Sequence, residues 1–171
     1  MGIGYPPAPM DKLTRWLTAF VLAIVAGCGI AALFMRGQDR TGMLFVFAIL
    51  AVFTLGAYLL APLKYEIVDD AVKVRRSRPF GMAVIPLAGL KEVRVLEKGE
   101  LNLWKTYKLW AASGCFGYFG MFGSRNLGRF WMSCTALTGA VLLSGDRKWI
   151  ISPADPEGFV NEVRRRISNH G

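Results

Sequence analysis

The chain has a single histidine, the penultimate His170, and three cysteines, Cys28, Cys115 and Cys134, with no C-x-x-C among them. A His/Cys metal site therefore lacks its ligands, and a disulfide framework lacks its even, spaced set of cysteines. Ser113, Ser124 and Ser133 have no imidazole to serve as a base apart from that terminal histidine. No G-x-x-x-x-G-K-[ST] loop occurs, and the glycines do not lead a strand into a helix as a dinucleotide site requires. Acidic residues are scarce as well, with 12 Asp/Glu against 21 Lys/Arg and a net charge of +9. Their one adjacent pair, Asp69-Asp70, is turn chemistry, since neighbours in a tight turn point apart. No catalytic residue, cofactor site or metal site is expected.

Charge is missing altogether from two runs, Trp16 to Met35 and Met43 to Pro62, each of 20 residues. As helices they would each measure about 30 Å, the thickness of a bilayer's hydrocarbon core. The link Arg36–Gly42 has seven residues, so the runs predict a two-helix transmembrane hairpin over 16–62. Residues 1–15 are then an N-terminal tail. Trp16 and Tyr58 fall near the ends of the spans, where amphipathic aromatics settle, and Gly27 and Gly29 are expected to approach Gly56 and Ala57. Val25-Ala26-Gly27-Cys28 resembles a lipoprotein cleavage box. Apolar sequence continues past it to Met35, however, where a mature lipoprotein turns polar, so the span is the preferred reading.

Lys12 and Arg15 precede the hairpin, and Lys64, Lys73, Arg75, Arg76 and Arg78 follow it, against two arginines in the link. The positive-inside rule then puts both termini on the cytoplasmic side of the membrane. Residues 1–62 have a net charge of +2 and residues 63–171 a net charge of +7. Such an excess would also suit nucleic acid, but a tether makes lipid the nearer polyanion. The expected partners are the membrane itself, anionic headgroups and an unidentified protein, and not nucleic acid.

Beyond a three-residue linker, Ala61–Leu63, the pattern becomes β. Lys64–Val68 and Ala71–Arg75 alternate around the Asp69-Asp70 turn and predict a hairpin. Further strands are expected over Phe80–Ile85, Leu90–Leu96, Leu101–Trp110 and Arg129–Leu137, and a closing hairpin over Ala140–Leu143 and Lys148–Ile151. Asp155 as N-cap, Pro156 at the first helical position, and Phe159, Val160, Val163 and Ile167 at helical spacing predict an amphipathic helix over 155–168. Arg164, Arg165 and Arg166 suit its C-terminal dipole. About seven strands and one helix make an antiparallel β-barrel or sandwich plugged at one end, over 64–169.

Three stretches carry a resemblance: Tyr65-Glu66-Ile67-Val68-Asp69-Asp70-Ala71-Val72, Gly114-Cys115-Phe116-Gly117-Tyr118-Phe119-Gly120, and Ile151-Ser152-Pro153-Ala154-Asp155-Pro156-Glu157-Gly158-Phe159-Val160. On these the chain resembles the bacterial membrane-anchored proteins with a pleckstrin-homology-like domain. The resemblance implies two roughly orthogonal sheets capped by a C-terminal helix, and a module for lipid, peptide or protein binding with no implied reaction. It also puts the cluster Arg75, Arg76 and Arg78 where such domains often receive a headgroup. Guanidinium groups suit phosphate oxygens, and the alternative is a solvated, topology-setting patch.

Leu109 to Ser124 holds no charge, with Gly114, Gly117, Gly120 and Gly123 at every third position. Phe116, Tyr118 and Phe119 between them belong either to an aromatic loop touching membrane or partner, or to a packed turn. Lys105, Lys108, Arg125 and Arg129 flank the segment as a basic rim. The expected function is a non-enzymatic, membrane-tethered binding or scaffold module. The alternative is a membrane-embedded enzyme, or an accessory subunit that stabilises another membrane protein through the two helices. The spans offer only Thr18, Thr54 and Tyr58 as polar groups for chemistry.

Overall fold

A computed structural model describes residues 2–77, 81–97, 99–101 and 106–169. The described residues form ten strands and three helices. In order these are β1 (Ile3–Tyr5), α1 (Lys12–Phe34), α2 (Gly37–Leu60), β2 (Pro62–Val68), β3 (Ala71–Arg76), β4 (Met82–Pro86), β5 (Glu92–Val95), β6 (Thr106–Ser113), β7 (Tyr118–Ser124), β8 (Gly128–Cys134), β9 (Val141–Ser144), β10 (Lys148–Ile151) and α3 (Pro156–Asn169).

The two long helices begin earlier than their uncharged runs. Asp11 caps α1 by accepting from the Thr14 amide at 2.8 Å, so the charged residues Lys12 and Arg15 become its first turn. Asp39 sits in the first turn of α2, where the helix dipole favours a carboxylate, and the link shrinks to Met35 and Arg36. Both helices are long and apolar enough to cross a membrane, and large side chains such as Trp16, Phe20, Phe45 and Phe53 lie exposed along them. The expected contact of Gly27 and Gly29 with Gly56 and Ala57 is not made. A hairpin that closes at residues 35–36 brings Gly29 opposite Phe47, and both Gly27 and Gly56 face open space.

The strands form two sheets, ordered β1-β2-β3-β4 and β5-β9-β10-β8-β7-β6. They pack as a sandwich and do not close into a barrel. Every neighbouring pair is antiparallel except β10 and β8, which run parallel with Trp149 beside Trp131. One core lies between the sheets. Tyr65 and Ile67 of β2, Val72 and Val74 of β3, and Ile85 of β4 face Val93, Val141, Leu143 and Ile151 across it. Phe159, Val160 and Val163 of α3 complete it, the face that helical spacing selects. A second core, with Tyr118, Phe122, Phe130, Met132, Leu142 and Ile150, covers the other face of the larger sheet. The run Val141-Leu142-Leu143 is therefore buried on both sides. Arg164, assigned from the sequence to the helix dipole, donates instead to the free carbonyl of Val93 at 3.0 and 2.7 Å, which blunts the β5 edge.

Residues 3–8 are part of the β-domain and not a free tail. Ile3 to Tyr5 pair with Ile67 to Tyr65 of β2. The Ala8 amide donates to Ser152 O at 2.7 Å and the Ala154 amide to Pro6 O at 2.9 Å, around a bridge between Pro7 and Pro153. The Thr135 hydroxyl also donates to Ala8 O. Since β2 starts two residues after α2 ends, the helical hairpin leaves the domain by one strand and re-enters it by another.

The Gly-rich segment is a turn followed by β7, a strand the sequence reading did not separate. Gly117 and Gly120 both have positive φ, +143° and +112°. A Cβ on Gly117 would strike the Cys134 carbonyl, and one on Gly120 would strike the Trp110 carbonyl of the paired strand. Both close contact and strain then oppose a side chain there. Gly120→Ala is expected to destabilise the detergent-solubilised protein by about 2 kcal/mol or more in denaturant or thermal unfolding. Gly56→Ala, on an open face of α2 one turn before its end, should leave the midpoint unchanged or slightly raised.

Candidate functional site

Polar contacts concentrate where the helices meet the β-domain. Asp11, Thr14 and Thr18 recur at spacings of three and four, which puts them on one face of α1. The Tyr118 hydroxyl, at the start of β7, accepts from Thr14 Oγ1 at 3.1 Å and donates to Asp11 Oδ2 at 3.2 Å. Thr18 Oγ1 donates to Thr14 O at 2.7 Å and accepts from the Phe116 amide at 2.9 Å. The Phe116 ring meets Tyr58 of α2 edge-on, with centroids 5.4 Å apart. Thr14, Thr18 and Tyr118 are buried, so each hydroxyl needs these partners. Burial pushes the Tyr118 phenol above its ordinary value. The turn itself is closed by the Gly114 amide donating to Gly117 O at 3.1 Å, with Phe116 at φ +59°.

Of the aromatics singled out in the sequence, Phe116 is half-buried against the helices, whereas Tyr118 and Phe119 are each 2% exposed. Neither of the latter two presents a surface to a partner. Both belong to the packed strand that follows the turn.

The basic residues separate into two groups. Arg75 and Arg76 end β3 beside the exit of α2, since Arg76 pairs with Pro62 and Arg75 with Lys64 and Met82. Glu66 faces both Lys64 at 3.2 Å and Arg75 at 3.5 Å, and Arg75 remains more than half exposed. Such exposed pairs contribute little to stability, so Arg75 can exchange Glu66 for another anion at small cost. Arg76 is partly buried near Tyr65, and its Nε has no hydrogen-bond partner among the described residues. Burial lowers its guanidinium from the ordinary value without removing the charge. Beneath it the Tyr65 hydroxyl donates to Ser133 O at 2.7 Å and accepts from the Ser152 amide at 3.4 Å. Leu63 and Met82 are exposed at the same end. Arg78 and Lys105 lie outside the described residues.

Lys108, Arg125 and Arg129 lie far from the turn they were expected to rim. Arg125 follows the last residue of β7 and the turn precedes the first, so the full strand separates them by on the order of 20 Å. Arg129 pairs with Gly123 and Lys108 with Phe122, both toward that distal end. The β6–β7 and β7–β8 turns close opposite ends of one strand, a separation hidden while the segment reads as a single loop.

One row crosses the larger sheet on a single face: Val93, Leu143, Trp149, Trp131, Met121 and Trp110. The smaller sheet and α3 bury its first two members. Trp149 and Trp131 stack at 5.8 Å, and Trp110 on β6 is 84% exposed. Arg129 and Arg147 border this shelf, together with Asp146.

If the junction hydroxyls couple helix to domain, Thr14→Val and Tyr118→Phe should each destabilise the solubilised protein. In a double-mutant cycle the two should be non-additive by about 1 kcal/mol. Strict additivity of the unfolding free energies would separate them.

The family model for the bacterial PH domain matches residues 63–167. No curated protein and no solved structure matches the chain significantly. The match begins at the second residue of β2, ends within α3, and covers the strands of both sheets apart from β1. The chain belongs to the bacterial PH-domain family.

Proposed function

We propose that this chain is a non-enzymatic, membrane-tethered binding module. The α1–α2 hairpin spans the bilayer, and the PH domain lies against one face of it with a protein or peptide as its ligand. Anionic headgroups contact the basic end of β3. The observation that carries this reading is the double attachment of the hairpin. Residues 3–8 are bonded into the domain before α1, and α2 runs into β2 with only Ala61 between them. A domain held this way stays close to the bilayer surface. Arg75, Arg76, Leu63 and Met82 then share the end next to the lipid, a mixture of cation and apolar side chain that suits an interface. Arg129 and Arg147, toward the distal end of the Trp131–Trp149 shelf that crosses the sheet at mid-strand, are left away from the headgroups, where an acidic, partly apolar segment of a partner would complement them. The positive-inside count favours the cytoplasm for this face.

The full chain in bilayers of mixed phosphatidylcholine and phosphatidylglycerol should prefer a spin-labelled anionic lipid over a zwitterionic one. The preference should weaken at high salt. Arg75→Gln with Arg76→Gln is expected to lower it several-fold, since each well-placed arginine contributes about 1 kcal/mol. An unchanged preference in the double variant would remove headgroup contact from this end of the domain.

A further inference from the structure

The turn between β6 and β7 touches both long helices, and its height along them follows from its contacts. The Tyr118 hydroxyl reaches Asp11 and Thr14, and two residues earlier the Phe116 amide reaches Thr18. Moving back along the chain from Tyr118 to Phe116 thus moves down α1, away from its N-terminus. A Cβ on Gly114 would lie 3.6 Å from Leu17 Cδ1. Thr18 lies two residues past Trp16, where the uncharged run starts, or about 3 Å further along the axis. On α2 the partner is Tyr58, two residues before the helix ends.

We infer that the turn Gly114–Gly117 enters the bilayer beside the helices, as a third element of the domain's attachment with lipid as its surroundings. The inference rests on the reading of α1 and α2 as membrane spans. Three observations support it independently of the turn's height. From Leu109 to Ser124 there is no charged residue, so no side chain of the segment itself opposes transfer from water. The turn abuts an apolar or aromatic side chain of each helix, Leu17 of α1 and Tyr58 of α2. Finally, lipid-exposed irregular backbone does not occur deep in the hydrocarbon region, so a turn at this shallow depth needs its polar groups taken up by the protein. Here the Gly114 amide is bonded within the turn and the Phe116 amide is bonded to Thr18 Oγ1. This gives the buried Thr18 hydroxyl a purpose in an otherwise apolar segment. It satisfies a turn amide that would otherwise enter lipid unpaired.

Cys115, half-buried at the tip, is a native attachment point for a spin label once Cys28→Ser removes the other accessible thiol; Cys134 is fully buried. The full chain would be reconstituted in phosphatidylcholine/phosphatidylglycerol bilayers, and collision rates measured with oxygen, which concentrates in lipid, and with a water-soluble nickel chelate. Ile24→Cys in mid-span and Arg125→Cys at the distal end, both with Cys28 and Cys115 replaced by Ser, mark the lipid and water limits. Ala112→Cys, exposed on β6 before the turn, provides a second reporter should labelled Cys115 disturb the packing. The inference expects oxygen collisions to exceed nickel collisions several-fold at Cys115, as at Ile24, with the ratio inverted at Arg125. A ratio at residues 115 and 112 matching that at 125, with Ile24 in lipid, would overturn this inference alone. Water-like values at Ile24 as well would overturn the membrane-span reading. Exclusion of both reagents at residue 115 would mean a protein covering, and would also overturn the assignment to lipid.

Discussion

Both ends of a 49-residue helical hairpin, Lys12 to Leu60, are fixed to one small β-domain, and the other features of the molecule follow from that constraint. The N-terminal end is held by backbone hydrogen bonds, through β1 on β2 and through the crossing of residues 6–8 with 152–154. The C-terminal end is held by covalent continuity into β2. Because β1 and β2 are adjacent strands, the two feet of the hairpin stand side by side. The helices then have one direction in which to leave the sandwich, and the turn before β7 fills the angle between them and the larger sheet. Asp11, Thr14, Thr18 and Tyr118 convert that proximity into directional bonds. The buried hydroxyls stabilise the junction modestly when paired, and leaving one unpaired costs more than its bond contributes.

Much of this architecture was legible from local pattern. The β2–β3 hairpin shows as alternation around an Asp-Asp turn, and α3 as a cap, a first-turn proline and an apolar stripe. Both signals lie within one element, where chain periodicity dominates. The features that were not legible depend on non-local contact. β1 has three residues between glycines and prolines, and becomes a strand only because β2 offers it an edge. β7 reads as a loop because Gly117 and Gly120 break alternation, and they are glycines because carbonyls of Cys134 and Trp110 pass too close for a side chain. The parallel pairing of β8 with β10 leaves no mark on the sequence. One signal was available but unread. Asp11, Thr14 and Thr18 form a polar stripe at the mouth of an apolar helix, and such a stripe needs a partner.

The placement of charge sharpens the functional reading. A single basic rim around an aromatic tip had been the sequence-level expectation. The fold instead carries the described members of that rim, Lys108, Arg125 and Arg129, to the end of the sandwich away from the turn, while the separate pair Arg75 and Arg76 stands with exposed apolar side chains beside the helices. A domain with one end against headgroups and the opposite end free can present a ligand surface at a set height and angle. Under the proposed membrane tethering, such a module would serve as a stationary receptor or scaffold, because tethering replaces the entropic cost of capture from solution.

The central claim is that the segment before α1 is an integral strand of the domain. Amide hydrogen exchange of the full chain, followed over residues 2–11 and at Ala154, tests it most directly. The account predicts that the Ala8 and Ala154 amides exchange as slowly as those of β2 and β3, opening only when the domain unfolds. Exchange of Ala8 at the rate of an unprotected chain, with β2 and β3 still protected, would contradict it.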